Sequence, residues 1–288
     1  MLNNRLAITA IAPAIWGTTY LVTSELLPPD RPLLAAVVRA LPAGLLLARH
    51  LPTGDWWWRA LVLGTLNIGA FFALLFVAAY RLPGGVAATI GAIQPVLVAC
   101  LAAGLLGERL TTRVIIAGAA GVAGVSLLVL RADARLDAIG VLAAVGGAAV
   151  MATGVVLAKR WRSSASLLTT TGWQLVAGGL VLLPVLLLVE GLPTSLTGAN
   201  VAGYAYLSVI GAGLAYPLWF RGIRALSPTN VTFLGLLSPL VATALGWLVL
   251  DQGLTLPQAA GAVLVLAAVL APQLKEFPRV SRFWARPA

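Results

Sequence analysis

Apolar residues fall into ten long stretches of this chain, at about 6–27, 32–49, 57–80, 85–106, 112–130, 137–159, 166–189, 201–222, 229–250 and 255–274. Each is close to the ~20 residues a helix needs to cross ~30 Å of hydrocarbon. In a bilayer core every backbone N–H and C=O has to be bonded within the protein, so runs of this kind predict helices and not open strands. The period-two alternation of a membrane β-barrel is missing. The pattern predicts an all-α integral membrane protein with ten transmembrane helices, spans 1 to 10.

Composition agrees: of 288 residues, 60% are hydrophobic and 10% charged, whereas soluble domains carry about a quarter charged residues. The net charge of +10 raises nucleic acid as a partner, but the cations cap helices and line no single face. With the N-terminus in the cytoplasm, fourteen lie on inner segments: Arg5, Arg49, Arg59, Arg109, Arg113, Lys159, Arg160, Arg162, Arg221, Arg224, Lys275, Arg279, Arg282 and Arg286. Four lie outside, Arg31, Arg81, Arg131 and Arg135. The positive-inside rule then expects both termini in the cytoplasm of a bacterial cell whose inner membrane the chain spans. Arg5 and the run after it read as a retained first helix and not a signal peptide, since Trp16 and Tyr20 interrupt it and no small-residue cleavage site follows. Cys100 is the only cysteine and His50 the only histidine, so no intrachain disulfide can form and no metal-ligand cluster or cofactor is expected.

The chain also repeats itself. A shift of 144 residues superposes Gly69 on Gly213, Phe76 on Phe220, Gly91 on Gly235, Pro95 on Pro239 and Thr111 on Thr255, and a shift of 135 places Thr18 on Thr153, Arg39 on Gln174 and Gly44 on Gly179. Two units of five helices follow, 1–132 and 133–288. Five is odd, so the second unit enters the membrane from the opposite side, and such inverted repeats suit alternating access around a midplane site.

The stretches Pro95 … Gly107-Glu108-Arg109-Leu110-Thr111 … Gly118 and Pro239 … Gln252-Gly253-Leu254-Thr255 … Gly261 resemble the ends of the two EamA repeats of the drug/metabolite transporter superfamily. Within it the chain is most similar to YddG-like bacterial amino-acid exporters. The resemblance implies a cavity lined mainly by spans 3, 4, 8 and 9, with spans 1, 2, 6 and 7 around it. It also implies export of amino acids, aromatic or otherwise neutral, or of related small metabolites. Gln252 departs from the first repeat's Glu108, so any role of that acid is not duplicated.

Polar residues deep in apolar spans face the bundle interior or a cavity. Here they are Asn67 in span 3, Gln94 in span 4, and Arg39 and Gln174 in spans 2 and 7. At similar depth lie Trp16, Tyr20, Phe71, Phe72, Trp173, Tyr216 and Trp219. An apolar, aromatic pocket with a few fixed polar groups suits a small ligand, and the candidate substrate contacts are Asn67, Gln94, Trp16, Phe71, Arg39, Trp173 and Tyr216. Each amide could instead bridge neighbouring helices, and each aromatic could pack in the core. Trp56, Trp57 and Trp58 with Arg59 read as an interfacial belt.

No Asp or Glu lies deep in a span, which disfavours a proton-coupled pump for drugs or quaternary cations. No catalytic constellation points to an enzyme. A noncatalytic receptor or assembly subunit would leave the inverted duplication without a purpose. The expected partners are a small-molecule substrate and membrane lipid, with no nucleic acid, and the chain is a monomer or a homodimer. Finally, Gly91 with Pro95 and Gly235 with Pro239 keep one spacing in both repeats. Proline cannot donate to the carbonyl four residues earlier and its ring crowds it, so spans 4 and 9 are expected to bend there as alternating hinges.

Overall fold

A computed structural model describes residues 2–82, 84–129, 137–249 and 255–274. Arg131, Arg135, Asp251, Gln252, the tail cations from Lys275 onward, the 132/133 boundary and the side chain of Tyr20 fall outside them.

All the described elements are helices. Span 1 is α1 (Leu2–Leu26) and span 2 is α2 (Pro32–Leu47); span 3 is α3 (Trp56–Gly64) and α4 (Ala70–Arg81), joined through a π-helical turn at Thr65–Gly69. Span 4 is α5 (Gly84–Gly91) and α6 (Gln94–Leu106), and span 5 is α7 (Thr112–Val129). In the second repeat, α8 (Ala138–Arg160) and α9 (Leu167–Val189) are followed by α10 (Gly198–Ser208) and α11 (Ala215–Ala225), with π-helical Val209–Leu214 between them. Span 9 is α12 (Pro228–Leu234) and α13 (Leu237–Val249), and span 10 is α14 (Leu256–Leu270). Among the described residues nine of these spans are long and apolar enough to cross a membrane, and α2, with 16 residues, is the short tenth. Leu142, Leu188 and Ile116 are exposed on outward faces, as expected where lipid is the solvent.

Side chains set several helix starts. Asp137 accepts from Gly140 N–H and Ser166 from Thr169 N–H, while Thr197 with Asn200 and Thr255 with Gln258 form capping boxes. These bonds satisfy N–H groups that an isolated helix leaves orphaned. The end of α6 is set by Gly107 at φ 70°, and the Glu108 N–H returns to the Ala102 carbonyl at 3.2 Å. That left-handed turn carries Glu108 toward the second repeat.

The two repeats interlock. α2 lies along α9 and α7 along α14, while α4 packs on α8 and, in the equivalent relation, α11 packs on α1. Close approach needs glycine at the crossings: a Cβ on Gly64 would lie 2.6 Å from the Gln174 carbonyl oxygen, and one on Gly261 would lie 2.6 Å from that of Gly124. Gly118, Gly121 and Gly124 all face neighbours in the same chain, Val96, Leu236 and the Gly261 region.

Both expected breaks are present. Span 4 is interrupted at Ala92 and Ile93, and span 9 at Gly235 and Leu236. In the second, the Gly235 carbonyl that Pro239 cannot serve accepts from Ser238 N–H at 3.0 Å. One relation is not symmetric. The second half of span 4, α6, packs on the first half of span 9, α12, but among the described residues the other halves, α5 and α13, make no comparable contact. The seam between spans 4 and 9 is closed at the end that carries the 107–111 turn, and among the described residues it is not closed in the same way at the other.

Candidate functional site

The two π-helical turns lie at places that the 144-residue shift superposes. A π turn replaces i→i+4 bonds with i→i+5 bonds and leaves carbonyls for other donors, which is why such turns gather at functional sites. Here Ala215 N–H reaches Ile210 O and Ala212 O, so the Gly211 carbonyl loses its ordinary partner. Two side chains of the first repeat take it up: Trp16 Nε1 and Arg39 Nη2 both donate to Gly211 O at 3.1 Å.

Around that carbonyl the aromatics converge. Trp16 lies 5.2 Å from both Tyr216 and Trp219, and the Arg39 guanidinium lies over the Phe72 ring at 5.6 Å. Phe71 is half-buried next to Phe72, their centroids 5.7 Å apart. Trp219 is buried and its Nε1 meets no acceptor among the described residues. A Cβ built on Gly235 would lie 3.8 Å from the Trp219 ring, which puts the break in span 9 beside the cluster. Gly91 faces open space. Pro95 is buried and Pro239 half-buried.

The other candidates lie elsewhere. Asn67 belongs to the first π turn and is fully buried; its Nδ2 donates to Gln174 Oε1 at 2.9 Å, and Gly154 of α8 abuts its amide. It joins three helices. Trp173 is buried nearer the helix ends, where its Nε1 donates to the His50 carbonyl at 2.6 Å and its ring lies 6.0 Å from Trp56. Trp173 thus belongs with the interfacial belt, in which Arg59 lies over Trp56, Trp58 and Trp161. Gln94 opens α6, is half-buried, and its amide makes no hydrogen bond among the described residues. The Gly211 carbonyl is not among the sequence candidates, and Phe72 and Trp219 are not among the expected substrate contacts, yet all three lie in this cluster. The coincidence of the glycine-rich stretch Gly211–Gly213 with the repeat of Gly69 was the available signal.

At the closed end of the seam, Thr229 Oγ1 donates to Glu108 Oε2 at 2.9 Å. Burial pushes the Glu108 carboxyl above its ordinary value, opposed by the Thr229 hydrogen bond and the positive charge of Lys159. Gln273 Nε2 donates to the Asn230 carbonyl at 3.0 Å, tying the end of span 10 to the same place. Among the described residues no group of three or more His, Cys, Asp or Glu could hold a metal.

Ten interlocked apolar spans, duplicated with inversion and broken where the repeats meet, define a multi-pass membrane transporter. Comparison with known proteins makes the class specific. The EamA-like transporter family profile matches residues 5–130 and again 138–271, and the chain belongs to that family. It is 49% identical over 266 residues to Protein PecM of Dickeya dadantii, covering 91% of this chain and 90% of that one. A chloroplastic WAT1-related protein of Arabidopsis thaliana is 30% identical over 276 residues, covering 88% and 66% of the two chains. The uncharacterized inner membrane transporter YedA of Escherichia coli is 27% identical over 242 residues, covering 81% and 78%. A solved crystal structure with 20% identity superposes at a TM-score of 0.79 over 94% of this chain and 96% of its own, and shares the fold.

Proposed function

We propose that this transporter exports neutral amino acids or related small metabolites across the bacterial inner membrane by alternating access, with both termini in the cytoplasm. The observation that carries the reading is the convergence of Arg39, Trp16, Tyr216 and Trp219 on one π-helical turn, with Phe71 and Phe72 at its edge. A substrate carboxylate exchanges with the Gly211 carbonyl for the Arg39 guanidinium, and the apolar body of the substrate lies against the rings. Gln94, half-buried and without a hydrogen bond among the described residues, supplies an amide to the polar end. Asn67 and Trp173 we assign to helix bridging. An aromatic cage also suits a quaternary cation, but a guanidinium in its midst repels one.

The asymmetric seam supports alternating access. With α6 on α12, and α5 making no comparable contact with α13 among the described residues, we read the conformer as shut at the basic end, which we assign to the cytoplasm, and released at the other. The exchange of these two relations is the transport step. Counterflow of labelled neutral amino acids in proteoliposomes holding only this protein tests the reading. Accumulation that depends on trapped unlabelled substrate is expected. Counterflow of quaternary cations, with none of any amino acid, would overturn it.

A further inference from the structure

A cleft of about 320 Å³ opens where α1 and α9 begin and α11 ends, bordered by Arg5, Arg221 and Arg224 with Leu167, Gly222 and Ala225. Arg224 is held in place, its Nη2 donating to Thr170 Oγ1 at 2.7 Å. The ion pairs of the described residues are Arg59 with Asp55 and Arg81 with Asp137, so no carboxylate among them answers these three guanidiniums. A second cleft at the same end, of about 310 Å³, differs in holding a carboxylate, Glu108, beside Arg109 and Arg113. Three like charges on one small opening raise the local positive potential and favour an anion there.

We propose that this cleft binds the phosphodiester headgroup of an anionic phospholipid. The surroundings favour an anion at this spot and a lipid as its source. α9 presents its positive N-terminal end there, since Leu167 is its first residue. The negative C-terminal end of α11 is screened, because Lys159 Nζ takes the carbonyls of Arg224 and Leu226 at 3.0 and 2.7 Å. Guanidinium forks match phosphate oxygens better than ammonium groups do. The opening lies at helix ends, the level of headgroups, and Leu167 and Ala225 on its border offer the attached chains apolar surface. Basic pockets between spans at the cytoplasmic face are where headgroups of this kind dock.

The test uses the full chain in phosphatidylcholine nanodiscs with an increasing share of phosphatidylglycerol. It reads lipid retained through detergent extraction by native mass spectrometry, together with the thermal midpoint. The wild type is expected to retain phosphatidylglycerol selectively and saturably. Arg5→Gln and Arg221→Gln, both at exposed positions, should lower that retention about ten-fold, the worth of a lost charged hydrogen bond. Arg160→Gln removes one exposed charge at the same end outside the cleft and should change nothing. Equal loss in Arg160→Gln would show only a diffuse surface field and overturn the site. Stabilisation by inorganic phosphate equal to that by phosphatidylglycerol would make it a free-anion site and overturn the lipid. Absence of selective retention would overturn both.

Discussion

Arg39 and Gln174, which stand at equivalent places in the two repeats, each bind the π-helical turn of the opposite repeat, Arg39 through the Gly211 carbonyl and Gln174 through the side chain of Asn67. The recipients match as well, because the 144-residue shift places Asn67 on Gly211. One bond has therefore been duplicated in position and changed in chemistry. In the first repeat's turn an amide pair is sealed inside; in the second, a charge and an aromatic cluster meet at a backbone carbonyl.

Arg39→Gln copies the second repeat's side chain. It should leave expression and monodispersity intact, because an amide can still reach for Gly211 O. Substrate affinity should fall roughly ten-fold or more, in line with about 1.5–3 kcal/mol for a hydrogen bond to a charged group. Titration of counterflow against substrate concentration checks it, and an unaltered half-saturation point would remove Arg39 from the substrate contacts.

Asn67→Ala should behave in the opposite way. It strands the buried Gln174 oxygen, at a cost of about 1–3 kcal/mol, and lowers the thermal midpoint without touching substrate affinity. Gln94→Ala should weaken affinity and spare the midpoint. A double cycle with Gln174→Ala isolates the amide pair, with a coupling of about 0.6–2 kcal/mol expected in a membrane. Additive Asn67 and Gln174 losses would contradict the bridge.

The acid at the seam gives a pH dependence with a definite sign. The Glu108 carboxyl lies above its ordinary value in the closed seam, by burial, and regains that value when the seam opens to water. The protonated form therefore favours closure, and this contribution is complete below the ordinary glutamate range and lost as pH rises through the raised value. A single cysteine near the 107–111 turn, in a Cys100→Ala background, should become less reactive toward a permanently charged, impermeant reagent as pH falls, after correction for thiolate fraction. Glu108→Gln should abolish the trend and hold the seam shut.

The breaks in spans 4 and 9 carry the last expectation. If Gly91 with Pro95 and Gly235 with Pro239 are hinges, Pro95→Ala straightens span 4 and biases the population toward one side, and Pro239→Ala biases it toward the other. Cysteine accessibility at both mouths reads the bias. Shifts of one sign in both variants, or none, would make the kinks static bends.

Hydropathy and spacing revealed the ten spans, the duplication and the breaks, because each leaves a mark one residue type deep: apolar length, a repeated glycine and a repeated proline. The π turns leave no such mark. They are a change of hydrogen-bond register within an apolar run, and Leu-Asn-Ile-Gly or Ile-Gly-Ala-Gly reads the same whether bonds close over four residues or five. Azimuth was not legible, so Asn67 was grouped with Trp16 and Tyr216 although it faces other helices, and depth misled for Trp173, which lies with His50 and Trp56 toward the helix ends. Side-chain direction on a helix that is apolar around its whole circumference has to come from its neighbours.

The distance in sequence between partners bears on how the chain is made. Arg39 leaves the ribosome long before Gly211, 172 residues later, and the N–H groups of Leu33 and Leu34 wait for the carboxylate of Glu190, more than 150 residues on. Before spans 7 and 8 arrive, Arg39 lacks its Gly211 contact and the start of α2 lacks the Glu190 carboxylate, while the Phe72 ring over which the guanidinium lies is already present in the first repeat. Neither half is a finished object. The duplication survives as symmetry of form, but each repeat draws hydrogen bonds from its counterpart, so neither half holds its native bonding alone.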